Sequence, residues 1–376
     1  VTAPLPRIAF PRIAVPRIAF YAPLKPVDHP IPSGDRQMAR LILRALETIG
    51  PVEVASGLRV YDGAGDPAIQ ARLTAAAAAE CDRLLSLYAT EPERRPALWL
   101  SYHVYYKAPD LIGPAVARRL GIPYVVVEAT RARKRLTGPW SAFAAAAEAA
   151  IEAAALVLCV SARDRQAVEA YGPPGQRVAM LPPFLDLPPA PEVREPTAPP
   201  RLLTVAMMRP GDKLASYRLL AEALQLLLAQ PWTLDIVGDG PAAAEVAALF
   251  APFGPRVTLH GACPPDSLAN HYRTADLLVW PGLNEAFGMV YLEAQAHGVP
   301  VLAIDNAGTG TVIRDDVGGR LTGPAPEEFA AALAALLADP PALRALGRSA
   351  RAHVEAHHAL TAAADRLRGL LSGLMS

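Results

Sequence analysis

The sequence predicts an α/β protein of two Rossmann-like, doubly wound domains that face a central cleft. Short apolar runs of strand length alternate with longer helix-periodic segments along most of the chain, the pattern that parallel sheets covered by helices require. The 376 residues exceed the roughly 250–300 that one hydrophobic core usually serves. Near mid-chain, residues 181–200 are too rich in proline for helix or central strand and read as a semi-rigid hinge.

The motif Pro-Arg-Ile-Ala recurs at 6–9, 11–14 and 16–19, a five-residue period that matches no solenoid. Only one copy can be the first strand. Residues 17–21 are assigned to it, because the loop that follows has the features of a site, and residues 1–15 are expected to form an appended, loosely held arm. The first domain then spans 16–182. Its further strands are expected at 52–55, 97–101, 123–127, 155–160 and 177–181, and its helices at 36–49, 67–89, 109–120, 140–153 and 162–171. After a linker at 183–200, the second domain spans 201–358. Its strands fall at 202–206, near 234–238, at 256–261, 277–280 and 299–304, with a short one within 316–321. Helices are expected from 213 to about 229, at 265–274, from about 288, at 326–338 and at 341–356. A last helix, about 360–375 within a 359–376 segment, is expected to cross back to the first domain.

Composition narrows the function. Lysine plus arginine equals aspartate plus glutamate at 36 each, so no global positive field recruits nucleic acid. Cys81, Cys159 and Cys263 stand far apart with no pair at metal or redox spacing and read as buried thiols. No run approaches the roughly 18 apolar residues of a membrane span. Arg7, Arg12 and Arg17 interrupt the N-terminus where a signal peptide would be continuous, so a cytoplasmic location is expected. From Lys107 to Arg135 there are seven basic residues against two acidic ones, bunched at Arg131, Arg133, Lys134 and Arg135. That bunch is either a solvated face or a docking surface for a phosphorylated or membrane-borne acceptor.

The densest signal lies at 276–298. Leu277-Leu-Val-Trp280 is a buried strand closed by Pro281-Gly282, and a helix starts near Gly288, with Met289, Leu292 and Ala296 at helical steps and Gly298 as its stop. The amides of Phe287, Gly288, Met289 and Val290 have no partner in a first turn and suit a phosphate. Glu285 in the loop and Glu293 about two turns in can face one cleft. The alternatives are that both glutamates are solvated charges, or a hydrolase pair, although a hydrolase needs no anion cradle.

This stretch, Pro-Gly-Leu-Asn-Glu-Ala-Phe-Gly, then Leu-Glu-Ala, then Ala-His-Gly-Val-Pro-Val, resembles the donor-binding signature of family-4 retaining glycosyltransferases of the GT-B fold, and the likeness extends over 16–376. The resemblance implies that Glu285 holds hydroxyls of the transferred sugar, with Ala286 and Phe287 beside it, and that Glu293 holds the ribose. It implies that Arg209 and Lys213, between strand and helix, neutralise the leaving diphosphate, which two cations in that position can do. Gly34 stands where the family often has paired glycines near the diphosphate; an ordinary turn glycine is the alternative.

At strand ends of the first domain, His103 is a hydrogen-bond donor to a sugar hydroxyl, a proton acceptor, or a strand cap. Glu128 and Arg131 end the next strand and are acceptor candidates. In the second domain, Gly238-Asp-Gly240-Pro-Ala-Ala243 imitates a dinucleotide fingerprint, but the following strand ends at His260-Gly261 without the acidic residue that would hold an NAD ribose. Residues 260–263 can lay backbone against a base.

The expected function is therefore a retaining glycosyltransferase that moves a sugar from a UDP- or GDP-linked donor to a glycan or lipid-linked hydroxyl acceptor in cell-envelope glycan, glycolipid or polysaccharide synthesis. No cofactor is expected. No metal is needed if Arg209, Lys213 and the helix tip supply the positive potential. A sugar-nucleotide epimerase or phosphorylase on the same architecture, or a non-catalytic nucleotide-sugar binding protein, is the alternative.

Overall fold

The computed structural model describes residues 16–31, 33–190, 197–306 and 308–375; the N-terminal 1–15 lie outside them. The first lobe holds β1 (Ile18–Tyr21), α1 (Gly34–Glu47), β2 (Val52–Ser56), α2 (Pro67–Thr90), β3 (Leu98–Val104), α3 (Gly113–Leu120), β4 (Tyr124–Ala129), α4 (Ser141–Ala153), β5 (Leu156–Cys159), α5 (Ala162–Tyr171) and β6 (Arg177–Met180). The second holds β7 (Arg201–Val205), α6 (Asp212–Gln225), β8 (Thr233–Val237), α7 (Ala243–Phe250), β9 (Val257–Gly261), α8 (Pro265–Thr274), β10 (Leu277–Val279), α9 (Met289–Ala296), β11 (Val301–Ile304), β12 (Gly319–Thr322), α10 (Pro326–Ala338), α11 (Pro340–His357) and α12 (Leu360–Ser372).

Each lobe contains one six-stranded sheet, ordered β2-β1-β3-β4-β5-β6 and β12-β11-β10-β7-β8-β9, with every pairing parallel. The α/β expectation of two Rossmann-like domains is met. Central strands are mostly apolar because helices cover both faces, and β4 is buried at all of its positions, Glu128 included.

Departures from the expected boundaries have local causes. Helix α1 starts at Gly34 rather than 36, because Ser33 Oγ accepts from the Arg36 amide at 3.2 Å and caps it. Ile42 takes a core place on that helix, and Leu43 beside it is only partly buried. Helix α3 starts at Gly113 rather than 109. Residues before it are held in a turn by buried Asp110, whose Oδ1 accepts from the Ile112 and Gly113 amides at 2.9 and 2.8 Å. Strands β3 and β4 run two or three residues past their expected ends, and each extension contains a left-handed residue, His103 (φ 60°) and Glu128 (φ 61°). Such conformations cost a non-glycine residue about 1–3 kcal/mol and tend to gather at functional sites.

The chain passes between lobes twice, and the two passages are tied together. The Leu185 amide donates to the His358 carbonyl at 2.9 Å and the Leu360 amide to the Leu185 carbonyl at 2.8 Å. Helix α12 then packs on α1, where Arg368 Nη2 donates to the Thr48 carbonyl at 3.2 Å. Among the described residues, no single helix is long and apolar enough to cross a membrane.

Candidate active site

In the second sheet the strand order reverses between β7 and β10, the switch point at whose carboxyl ends doubly wound sheets bind ligands. The segments leaving these two strands carry both groups singled out in that lobe. Arg209 sits exposed in the loop after β7 and makes no side-chain hydrogen bond or salt bridge among the described residues. Lys213 lies in the first turn of α6, and its ammonium pairs with Glu285. The indole Nε1 of Trp280, at the end of β10, donates to the same Glu285 oxygen at 3.1 Å.

Further contacts fix the 281–287 loop. Asn284 Nδ2 donates to Asp212 Oδ1 at 3.1 Å, the Leu283 amide to Ser216 Oγ at 2.9 Å, and Asn306 Nδ2 to the Gly282 carbonyl at 2.8 Å. The Ala286 carbonyl faces Gly308 so closely that a side chain there would collide with it.

The fingerprint imitation has a structural role. Gly238 and Gly240 lie against the carbonyls of Ala206 and Met208, where a Cβ would come within 1.9 and 2.3 Å. The Met208 amide donates to Asp239 O at 2.9 Å and the Ala242 amide to Met208 O at 2.9 Å. This loop therefore braces the segment that presents Arg209.

Helix α9 begins at Met289 with Gly288 as its N-cap, and among the described residues no side chain caps it. Gly288 is left-handed (φ 77°) and sits against the Tyr291 ring, so only glycine fits. Among the described residues the amides of Phe287, Gly288, Met289 and Val290 meet no acceptor, and the positive end of the helix dipole adds to their pull on an anion. One turn further in, half-buried Glu293 accepts from Tyr272 OH at 2.8 Å and, across the lobes, from Gln37 Nε2 at 3.4 Å. Burial raises its pKa, and those two hydrogen bonds oppose the rise only in part.

From the first lobe, the imidazole of His103 meets Asp35 Oδ1 at 2.9 Å through Nδ1, with Glu128 Oε1 3.6 Å away. Burial disfavours the imidazolium, but Glu128 and Asp35 outweigh it and raise its pKa to about 9. His103 is thus a cationic donor at neutral pH, which favours the hydrogen-bonding role over proton abstraction. Glu128 is itself buried, and its Oε2 has no hydrogen-bond partner among the described residues.

Lys25, in the loop after β1, is half-buried and makes no hydrogen bond or salt bridge among the described residues. Burial lowers its pKa; Asp35 opposes this, while Arg59, Arg209 and Arg36 push it further down. Arg209 belongs to the other lobe, so cations of both lobes share this space.

Two expected placements change. Arg131 does not reach toward an acceptor: its side chain is fully buried, with Nη1 turned to Glu148 and Glu152 of α4. The basic bunch at 131–135 thereby loses Arg131 from its surface, while Arg133 and Lys134 stay exposed. Arg133 lies over the Tyr171 ring at 4.8 Å, and Arg135 over Tyr106 and Trp140 at 5.3 and 5.1 Å. Gly34 opens α1 beside Asp35, with no atom of the described residues beyond its chain neighbours and its own helix within 4 Å of where a Cβ would stand.

Sequence reasoning missed Asp35, Lys25, Gln37 and Tyr272. Asp35 had one available signal, its place next to Gly34 in a first helical turn. Tyr272 had none, since its partner is 21 residues away in another helix.

The family described as "Glycosyl transferases group 1" matches residues 199–339. The D-inositol 3-phosphate glycosyltransferase of Segniliparus rotundus is 28% identical over 292 residues, covering 67% of this chain and 61% of that protein, less than two thirds of its length. Its namesake from Thermobispora bispora is 32% identical over 318 residues, 76% of this chain and 73% of that one. Among solved structures, Anabaena HepE in complex with UDP-glucose superposes with a TM-score of 0.67 at 17% identity, over 96% of this chain and 100% of the other, a likeness of fold.

Proposed function

The chain belongs to the group 1 glycosyltransferases and has their two-lobed GT-B fold; from that premise we propose that it moves a sugar, with retention, from a UDP- or GDP-linked donor to a hydroxyl of an anionic acceptor. The observation that carries this is the convergence of Lys213, Glu285 and the uncapped tip of α9 at the switch point of the second sheet. The donor diphosphate would take the α9 amides, Lys213 and Arg209, and the transferred sugar would take Glu285. The ribose would take Glu293, which Tyr272 already holds in place.

As the glycosidic bond breaks, negative charge grows on the diphosphate. Fixed donors aimed there stabilise it most when the bond is most broken. Same-face attack follows if the acceptor hydroxyl approaches beside the leaving phosphate oxygen and passes its proton to it. His103, held cationic, would orient a sugar hydroxyl rather than take that proton. Closing the lobes would keep water out.

The UDP donor is supported by the ligand in HepE, and an anionic acceptor by the name of the relatives together with Lys25 and its arginine neighbours. A thermal-shift screen against UDP- and GDP-sugars, repeated with Lys213→Ala, tests the donor reading. The wild type should shift with one base and the variant should lose most of that shift; an equal shift in both would remove Lys213 from the site. Release of nucleoside diphosphate on adding D-inositol 3-phosphate, reduced in Lys25→Ala, tests the acceptor. Release with unphosphorylated glycans instead would return the acceptor to the glycan class, and release with lipid-linked acceptors to the membrane.

A further inference from the structure

At the β9 edge of the second sheet, three elements bring together side chains that the transfer reaction does not use. Asp235 comes from β8, His260 from the end of β9 and His271 from α8, and one ligand atom from each lies within 4.8 Å of the others. His260 Nε2 is 2.7 Å from Asp235 Oδ1, and the two imidazole rings stand 4.4 Å apart. A fourth donor follows in the loop after β9: Cys263 Sγ lies 3.9 Å from His271 Nε2. Arg201 holds the other carboxylate oxygen of Asp235, Oδ2, at 2.9 Å and so turns Oδ1 toward the histidines. Such outer contacts orient ligands in metal sites.

We propose that Asp235, His260, His271 and Cys263 form a binding site for a zinc-class divalent metal ion that ties β8, β9 and α8 together. The donor set of two imidazoles, one carboxylate and one thiolate is the mixture that Zn²⁺ takes in four-coordinate sites. Bonds of about 2.0–2.3 Å place tetrahedral neighbours roughly 3.3–3.8 Å apart. The 3.9 Å sulfur to nitrogen distance lies just above this range and the 2.7 Å contact of His260 with Asp235 below it, and side-chain movements of roughly 1 Å bring both, and the 4.8 Å limit on the other three, into it. Cysteine spacing gave no hint of this site, because only one cysteine takes part and the remaining ligands meet through the fold. Bound metal would also fix residues 261–264, the turn between β9 and α8.

The test uses the full chain, stripped with a chelator and then given Co²⁺ as a spectroscopic probe. The expected result is the visible absorption of tetrahedral cobalt together with a thiolate-to-metal charge-transfer band, both abolished by Zn²⁺, and a rise in Tm when Zn²⁺ alone is added. His271→Ala should lose the tetrahedral spectrum, and Cys263→Ser should lose only the charge-transfer band. Matching Tm values of variants and wild type in chelator show that the folds are intact. If His271→Ala melts early, His271→Gln, which keeps a polar ring-sized group, takes its place. The spectrum of octahedral aqueous cobalt from the wild type, with no Zn²⁺-dependent change in Tm, overturns the site. A charge-transfer band that persists in Cys263→Ser removes Cys263 from it.

Discussion

Lys213 and Glu285 neutralise each other, although 72 residues separate them in sequence and they belong to different elements, the first turn of α6 and the loop before α9. The cation expected to meet a diphosphate and the carboxylate expected to meet a sugar are therefore each other's partners in this structure. A whole nucleotide sugar offers a replacement to both. A bare nucleoside diphosphate offers one only to Lys213 and leaves Glu285 uncompensated.

Glu285→Gln should separate these two events. Freeing Lys213 from a partly exposed pair, worth about 0.5–1 kcal/mol, should tighten binding of the bare nucleoside diphosphate roughly two- to fivefold. Transfer should slow by roughly 10- to 150-fold through loss of a charged hydrogen bond worth about 1.5–3 kcal/mol. Calorimetry with UDP and GDP alongside steady-state rates checks this; weaker diphosphate binding in the variant would contradict the competition.

Glu293→Gln should trade affinity for stability. Because burial raises the Glu293 pKa above its ordinary range, the stability linked to its protonated form is present at acid pH and lost as pH rises through the raised value. The amide variant should melt higher than wild type at mildly alkaline pH, with the gap closing toward about pH 4. Nucleotide affinity should fall, since an amide accepts less well from two ribose hydroxyls. A variant that binds nucleotide as tightly as wild type would take Glu293 out of the ribose site.

The His103 imidazolium predicts an alkaline limb. Its pKa is raised from 6.5 to about 9, so its contribution to stability is complete below about 6.5 and disappears as pH rises through about 9. Activity that needs this cationic donor should fall over the same upper range. His103→Gln should remove that limb and lower kcat/KM by roughly 10- to 150-fold. An unchanged pH profile in the variant would sink the donor role.

Arg131→Met should act on stability alone. The buried guanidinium is paired to Glu148, and breaking a buried pair from one side typically costs about 3–5 kcal/mol. Chemical denaturation should show that loss, while KM for the acceptor stays put. A raised KM with unchanged stability would restore Arg131 to the acceptor site.

How much of this was legible in the sequence depends on range. The strand-loop-helix at 277–296 was readable because its cues are local: a four-residue apolar run, a turn pair, helical spacing and a glycine stop. The Schellman end of α9 shows the same locality, with the Gly298 amide on Gln295 O at 2.9 Å and the Val299 amide on Ala294 O at 3.0 Å. Start errors in α1 and α3 came from the Ser33 cap and from the turn held by Asp110, whose effect depends on where one side chain turns. The pairing of Lys213 with Glu285, the grip of Tyr272 on Glu293 and the turning of Arg131 toward α4 were out of reach. Each depends on elements that only the folded sheet brings side by side, and no spacing along the chain encodes that.

Because Leu185 is stitched to both His358 and Leu360, the outgoing and returning passages act as the spine of a book. Any swing of the lobes would be expected to run about that line. Helix α1 touches α12 near Thr48, and Gln37 lies eleven residues back along the helix, roughly 16 Å from that contact. The long Gln37 to Glu293 hydrogen bond thus sits out toward the free margin of the pages, where a small swing makes the widest gap. If Glu293 holds the ribose as proposed, a nucleotide arriving there would compete with Gln37, and one carboxylate would serve both the ligand and the seam between the covers.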